Sequence, residues 1–270
     1  MQLIESIDEI KKIQLDILLA VHRFCEDNGI KYSLAAGTLI GAIRPQGYIP
    51  WDDDIDIYLQ REDYKKLIAI FPELFEERYK LYSLERNSEY TRPYARLCDC
   101  TTLEVFSCDS SIKPLGLGID IFPIDYVPDD EQEWQSYNRK RLFLYKIYRK
   151  KVWVKWEHSC GLMRNLGAML LKALLSPFSY RFLAKQIDRY AQINNGRGFH
   201  HLFETGMGIV ATKHFPAEDM AETIDVPFEG HQLKAMKGYD DYLRAFYGDY
   251  MQLPPVEKRV SHHEFKAYRL

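Results

Sequence analysis

The chain is poor in the features that mark several protein classes. It has no excess of positive charge: 36 lysines and arginines against 39 aspartates and glutamates leave a formal net charge of −3. Nothing therefore draws the molecule as a whole to nucleic acid, and an anionic partner must be met by a local patch. Cysteine is scarce and odd in number, five in 270 residues (Cys25, Cys98, Cys100, Cys108 and Cys160), which argues against a disulfide framework. The most apolar stretch, 162–175, is interrupted by Arg164 and Lys172 and is too short to span a bilayer. The first residues, Met1-Gln2-Leu3-Ile4-Glu5, have no basic segment followed by an apolar one, as a secretory signal would. There is no internal repeat and no low-complexity segment. Together these absences predict a cytoplasmic protein. What remains is 46% hydrophobic and 28% charged, a soluble globular profile, long enough for one large domain or one domain carrying an insertion.

Apolar spacing gives a coarse order of elements. Ser6, with Glu9 three residues on, caps a helix whose apolar residues are Ile7, Ile10, Ile13, Ile17, Leu18, Val21 and Phe24. Asn28-Gly29 ends it. A short strand is expected over 30–36, after which Gly37-Thr38 turns the chain into a brief helix ended by Pro45. From Trp51 to Leu59 the pattern alternates, predicting a strand with Asp52, Asp54, Asp56 and Tyr58 on one face and Asp53, Ile55, Ile57 and Leu59 on the other. A helix over 62–71 and strands over 79–83, 95–97, 102–106 and 118–124 follow. Residues 129–195, rich in Tyr, Trp, Arg and Lys, read as a helical insertion. Mixed structure resumes after Asn195-Gly196, with a helix at Tyr239–Phe246 and a tail from Pro254-Pro255. The expectation is an α/β (α+β) fold, a single domain over 1–270 with an insertion at about 129–195.

Four carboxylates in five positions, Asp52, Asp53, Asp54 and Asp56, repel one another unless positive charge sits among them. On a strand, Asp54 and Asp56 share a face with Asp52 beside them, roughly 6–7 Å apart at the backbone, within reach of one or two hard cations, Mg²⁺ or Mn²⁺. Such ions bridge to phosphate oxygens, so the chemistry indicated is phosphoryl or nucleotidyl transfer. A solvated acidic loop is the bland alternative, but this run is embedded in Ile49, Trp51, Ile55 and Ile57. An EF-hand loop fails because Ile57 stands where glycine is needed and Asp63 where glutamate is needed. A D-D-x-x-D terpenoid-synthase signature fails because Pro50 and the alternation oppose a helix. Asp120, between Ile119 and Ile121, supplies a third carboxylate or else a salt-bridged strand aspartate, and Asp125 reads equally as a turn residue. Gly37-Thr38 opens a helix just upstream, where free amides bind phosphate. Arg44 and Arg96 are phosphate-charge candidates or ordinary surface arginines.

The run from Gly37 through Thr38, Gly41 and Arg44 to Gly47-Tyr48-Ile49-Pro50-Trp51-Asp52-Asp53-Asp54-Ile55-Asp56 resembles the core motif of the LicD family, which includes bacterial phosphocholine transferases and fukutin-type ribitol-phosphate transferases. The resemblance resumes at Gly118–Asp125 and again from Tyr239-Asp240-Asp241-Tyr242-Leu243 through Tyr247-Gly248-Asp249 to Lys258, Arg259 and His262. It implies a nucleotidyltransferase-like fold, a phosphate turn at Gly37 and Thr38, a metal pair at Asp54 and Asp56, and a third ligand at Asp120. Asp52 matches a further family acid. Arg44, Trp51, Arg96, Lys258, Arg259 and His262 become candidates for substrate contact. The implied donor is a CDP-linked alcohol, CDP-choline first, and the acceptor a glycan hydroxyl, with CMP leaving and Asp120 or Asp52 accepting the hydroxyl proton. Ribitol- or glycerol-phosphate transfer, NMP transfer, and a non-catalytic glycan- or metal-binding module are the alternatives. A choline headgroup would want an aromatic face, and Trp51, Tyr48, Tyr94, Phe122 and Tyr126 lie near the motifs. Some fukutin-type members bind zinc through cysteine; Cys98, Cys100 and Cys108 lack finger spacing and a fourth ligand. Adjacent His200-His201 and His262-His263 do not chelate as pairs on a strand.

Every charge between Arg139 and Lys155 is positive: Arg139, Lys140, Arg141, Lys146, Arg149, Lys150, Lys151 and Lys155. Tyr145, Tyr148, Trp153 and Trp156 are interleaved. This is either a solvated helical face or a peripheral contact with the anionic inner face of the cell membrane, where a lipid-linked glycan acceptor would be held. No nucleic-acid-binding motif accompanies it.

Overall fold

The computed structural model describes residues 1–106, 114–152, 173–206, 213–259 and 265–270. A short strand β1 (Gln2–Ile4) precedes helix α1 (Ile7–Asn28). The Ser6 hydroxyl accepts from the Glu9 amide at 3.3 Å, and Gly29 ends the helix at φ 58°, where its amide reaches the carbonyls of Cys25 and Glu26. Next come β2 (Ser33–Leu34), α2 (Ala36–Ile43), β3 (Asp56–Gln60), α3 (Arg61–Ile70), β4 (Tyr79–Tyr82), β5 (Ala95–Asp99), β6 (Thr102–Phe106) and β7 (Gly118–Val127). The main sheet runs β2-β3-β7-β5-β4. Within it β3 and β7 are parallel and the other pairs antiparallel. The apolar stripe of α1 (Ile10, Ile13, Ile17, Leu18, Val21, Phe24) is buried against β5 and β7, and α3 covers β3 and β7. The fold is mixed α/β, as the element pattern predicted.

The segment 129–195, expected to be an insertion, contains α4 (Glu131–Val152) and α5 (Tyr180–Ala191), packed together. Tyr137 stacks on Tyr190 with ring centroids 4.9 Å apart. At the other end Lys151 donates to the Leu175 carbonyl at 2.6 Å and lies over the Tyr180 ring. The chain then returns as β8 (His201–Glu204), which pairs with the last part of β7 and with β9 (Phe215–Pro216). A hairpin of β10 (Thr223–Phe228) and β11 (His231–Met236) follows, and then α6 (Tyr239–Tyr247). Its two-residue turn, Glu229 at φ 49° and Gly230 at φ 78°, has the positive dihedrals that a tight hairpin turn requires. Among the described residues no helix is long and apolar enough to cross a membrane.

Two expectations change. The tail beyond Pro254 is not all irregular: β12 (Phe265–Arg269) inserts between β1 and β6 and ties the two ends of the chain together. The predicted strand from Trp51 starts only at Asp56. The Asp52 amide turns back to the Ile49 carbonyl at 2.9 Å, and the Asp53 carbonyl is taken by the Gln14 side chain at 2.9 Å. Backbone groups used in this way are lost to a sheet ladder. The alternation survives in burial alone: Asp53, Ile55 and Ile57 are buried while Asp52, Asp54 and Asp56 keep partial exposure.

Candidate active site

Parallel pairing sets Asp56, the first residue of β3, directly beside Asp120 on β7, and the Asp120 amide bonds to the Ile55 carbonyl at 3.0 Å. The stretch holding Asp52 and Asp54 runs into this point. Burial, and then the charges of Asp54, Asp120 and Asp52, push the Asp56 carboxyl well above the ordinary carboxylate range, with Arg96 only partly opposing. The structure thus gathers Asp52, Asp54, Asp56 and Asp120 into one negative cluster at the end of the two central strands.

Helix α2 abuts that cluster. The Thr38 hydroxyl accepts from the Asp56 amide at 2.9 Å, so Thr38 fixes the start of β3. A Cβ on Gly37 would lie 2.4 Å from Asp52 Oδ2. A carboxylate therefore already rests against the start of α2, where first-turn amides have no partner inside the helix and negative charge is favoured. Ala36, the first residue of α2, has φ 45°, a left-handed conformation uncommon outside glycine. Its amide bonds to the Tyr242 hydroxyl. Tyr242, buried on α6, also lies 3.3 Å from the Tyr58 hydroxyl. Tyr247, at the end of α6, reaches Tyr242 and feels the charges of Asp56 and Asp52, while the residue as a whole stays partly exposed. Neither tyrosine emerged as a site residue from the sequence, since nearness to the aspartates depends on how α6 packs; their place in the C-terminal motif was the only available signal.

The cations divide into two groups. Arg96 is buried between Asp120 Oδ1 at 2.9 Å and Glu104 Oε2 at 2.6 Å. Burial works against its charge, but Asp120 and Glu104 more than offset this and raise its pKa. Arg92 adds a weaker contact to the same Asp120 oxygen at 3.7 Å. The expected phosphate arginine is thus a clamp on a carboxylate. Arg44 and Arg259 form the second group. Arg44 donates to the Tyr250 carbonyl at 2.9 Å, and Arg259 lies over the Trp51 ring at 5.6 Å and bonds to the Pro254 carbonyl at 2.8 Å. Burial and the nearby Arg259 lower the pKa of Arg44. Two neighbouring guanidinium groups that repel one another favour an anion. Residues 250–259 thereby bring Arg44, Trp51 and Arg259 to one edge of the acidic run.

Several sequence candidates lie elsewhere or are engaged. Asp125 is no turn residue: it is buried within β7 and bound by Arg61 at 2.5 and 2.7 Å, Asn195 at 2.7 Å and Thr205 at 2.9 Å. Tyr48 has Lys11 over its ring, and Phe122 packs on Tyr94 and Tyr58. Tyr126 follows Asp125 toward the far end of β7, where its amide bonds to Asn195. His200 and His201 both bond to Asp129 beyond that end of β7, away from the aspartates. Cys98 is buried, its thiol pushed up to about 12 by burial, and Cys100 is exposed. His262, Cys108 and the Lys258 side chain lie outside the described residues.

Among the described residues no three His, Cys, Asp or Glu side chains form a ready-made metal ligand set. The charge pattern nonetheless fits a cation: three further carboxylates, Asp54, Asp120 and Asp52, crowd Asp56, and Arg96 only partly opposes them.

Residues 29–159 match the family model described as LicD/FKTN/FKRP, nucleotidyltransferase domain. The chain is 32% identical to the lipopolysaccharide cholinephosphotransferase LicD of Haemophilus influenzae, over 98% of both chains. The chain belongs to the LicD family. It is an enzyme of the phosphotransferase class that this family represents. A shorter similarity, 38% identity over 46% of this chain and 38% of the other, links it to an uncharacterized protein of Rickettsia typhi. An uncharacterized protein of Rickettsia prowazekii is 39% identical over 32% of this chain and 29% of its own. The LicD model spans α2, the acidic run and the whole of β7, so the clustered carboxylates lie within the matched part of the chain.

Proposed function

We propose that this LicD-family protein transfers phosphocholine from CDP-choline to a hydroxyl of a cell-surface glycan and releases CMP. The observation that carries the proposal is the acidic cluster of Asp52, Asp54, Asp56 and Asp120, with Arg259 over the ring of the adjoining Trp51 and Arg44 near Arg259. Negative groups that attract cations stand beside positive groups that attract phosphate. The near full-length similarity to a lipopolysaccharide cholinephosphotransferase supports the choice of phosphocholine and of a glycan acceptor.

In this reading Asp54, Asp56 and Asp120 hold Mg²⁺ or Mn²⁺, which when bound supplies charge neutralisation for the donor diphosphate and for the departing CMP. The protein's own groups do the rest. Arg44 and Arg259 bind the donor's phosphates. The first-turn amides of α2 orient a phosphate where Asp52 now rests, so donor and Asp52 compete for, or share, that helix start. Arg96 and Arg92 hold the Asp120 side chain in place. Asp52, with its carboxylate beside Gly37 rather than in the Arg96 clamp, is the better placed of the two to take the acceptor's proton. The catalytic domain extends over 1–270, with α4 and α5 as an insertion. It works at the inner face of the cell membrane on a lipid-linked glycan.

The test is product analysis. Purified protein, CDP-choline, a divalent cation and a glycan acceptor should yield CMP and acceptor-bound phosphocholine in equal amounts. Pyrophosphate released from a nucleoside triphosphate, with NMP on the acceptor, would overturn this in favour of nucleotidyl transfer. CDP-ribitol or CDP-glycerol turning over in place of CDP-choline would correct the donor alone.

A further inference from the structure

Helix α4 has two opposed faces. Trp134, Tyr137, Arg141 and Tyr148 point inward and are buried. Arg141 thereby leaves the exposed basic set: it lies over the Phe203 ring at 4.8 Å and bonds to Asn138. Lys151 is tied to Leu175 and Tyr180. On the opposite side Arg139, Phe143, Lys146 and Lys150, at successive spacings of four, three and four residues, share one exposed stripe. Lys140 and Arg149 flank it, also exposed. Phe143 is 60% exposed in the middle of these cations. Just before α5 and in its first turn, Phe178 and Phe182 stack on one another at 5.4 Å and are 43% and 44% exposed. A solvated helical face has no need of large aromatic side chains; a helix lying in a lipid interface combines apolar side chains with surrounding cations.

We infer that the outward stripe of α4, with Phe143 at its centre, is a docking surface for an anionic lipid leaflet, to which the exposed Phe178–Phe182 pair of the same helical arm adds apolar surface. The arm is also fastened to the carboxylate site. The Tyr148 hydroxyl bonds to the Thr91 carbonyl at 3.0 Å, and Arg181 on α5 donates to the carbonyls of Leu84, Asn87 and Tyr90. The next residue after Thr91 is Arg92, which contacts Asp120. Docking through α4 therefore holds the Asp120 side of the site near the leaflet, where the sugar of a lipid-anchored acceptor arrives. The docking surface itself stands without the transferase reading; only its use for acceptor delivery rests on it.

The test is sedimentation of the intact chain with vesicles of phosphatidylglycerol and phosphatidylcholine, beside phosphatidylcholine alone, at low and high salt. Wild-type protein should bind the anionic vesicles, more weakly as salt rises. Changing Arg139, Lys146 and Lys150 together to Gln should weaken binding at low salt about a hundredfold, from three basic residues near the surface. F143S should instead remove the binding that persists at high salt, because that part is apolar. Both variants should keep wild-type melting temperatures and transfer to a short soluble acceptor, and lose rate on acceptor embedded in anionic vesicles. Failure of the wild type to bind anionic vesicles at low salt, equal binding to phosphatidylcholine, or undiminished binding by the triple variant would each overturn the inference. Sedimentation needs no turnover, so a wrong donor or reaction leaves this result standing.

Discussion

Strand β7 carries two aspartates five residues apart, and they lead opposite lives. Asp125 is completely buried but fully answered: Arg61 grips both its oxygens, Asn195 and Thr205 add hydrogen bonds, and Asp188 shares the arginine. Asp120 is less buried, yet it sits among Asp56, Asp54 and Asp52, and the arginines that touch it leave Asp56 pushed toward its neutral form. Burial does not separate a structural acid from a site acid here. Compensation does: at one end of the strand the acid is matched by the protein's own partners, and at the other the carboxylates outnumber theirs, as the proposed cation site requires.

The sharpest way to break this comparison is Asp56→Asn. Transfer should fall by roughly 10³-fold or more, on the scale of losing a preorganised charge partner at a reacting centre, while the fold survives. The pH dependence checks the cause. Because Asp56 has a raised pKa in the folded state, the metal-free wild type loses stability as pH rises from the unfolded-state carboxylate value toward the folded one, and regains it on acidification. Melting temperatures across pH should show this trend in the wild type and a flatter one in the variant. Near-normal turnover by Asp56→Asn at saturating Mg²⁺ would refute the assignment.

Asp125→Ala reverses the picture. Breaking the buried pair, with only Asp188 left to Arg61, should cost about 3–5 kcal/mol of stability, seen as a lower denaturant midpoint. The protein that remains folded should transfer at close to the normal rate. A selective loss of catalysis without loss of stability would mean that Asp125 belongs to the site after all.

Gly37→Ala sharpens the contact between α2 and the acidic run. The added Cβ would meet Asp52 Oδ2 at 2.4 Å, and only a movable side chain stands in the way. Stability should change by under about 1 kcal/mol, while turnover falls roughly 10²-fold because Asp52 and the helix start are displaced. Unchanged kinetics would remove Gly37 from the site. The smallest effect belongs to Arg259→Gln. Loss of one of the two guanidiniums proposed to hold the donor phosphates should raise KM for the donor about tenfold with kcat little changed. A drop in kcat at constant KM would place Arg259 at the reacting centre instead.

What the sequence determined by itself is local or covalent in origin. The Ser6 cap, the apolar stripe of α1, the alternation through Asp52–Ile57, and the spacing of Gly37, the aspartates and Gly118–Asp125 follow from neighbouring residues, and with them the fold class and the family. What only the tertiary structure decided depends on partners far along the chain. Gln14 taking the Asp53 carbonyl stops the ladder short of Asp52, and β12 finds β1 and β6 across nearly the whole length of the chain. Arg61 reaches Asp125, whereas Arg96 reaches Asp120, so identical side chains on one strand acquire different electrostatics. Arg141 turns inward while Lys146 and Lys150 face out. Charge type is written in the residue; whether that charge is neutralised is a property of three-dimensional neighbours, because Coulomb interaction and desolvation act through space and not along the sequence.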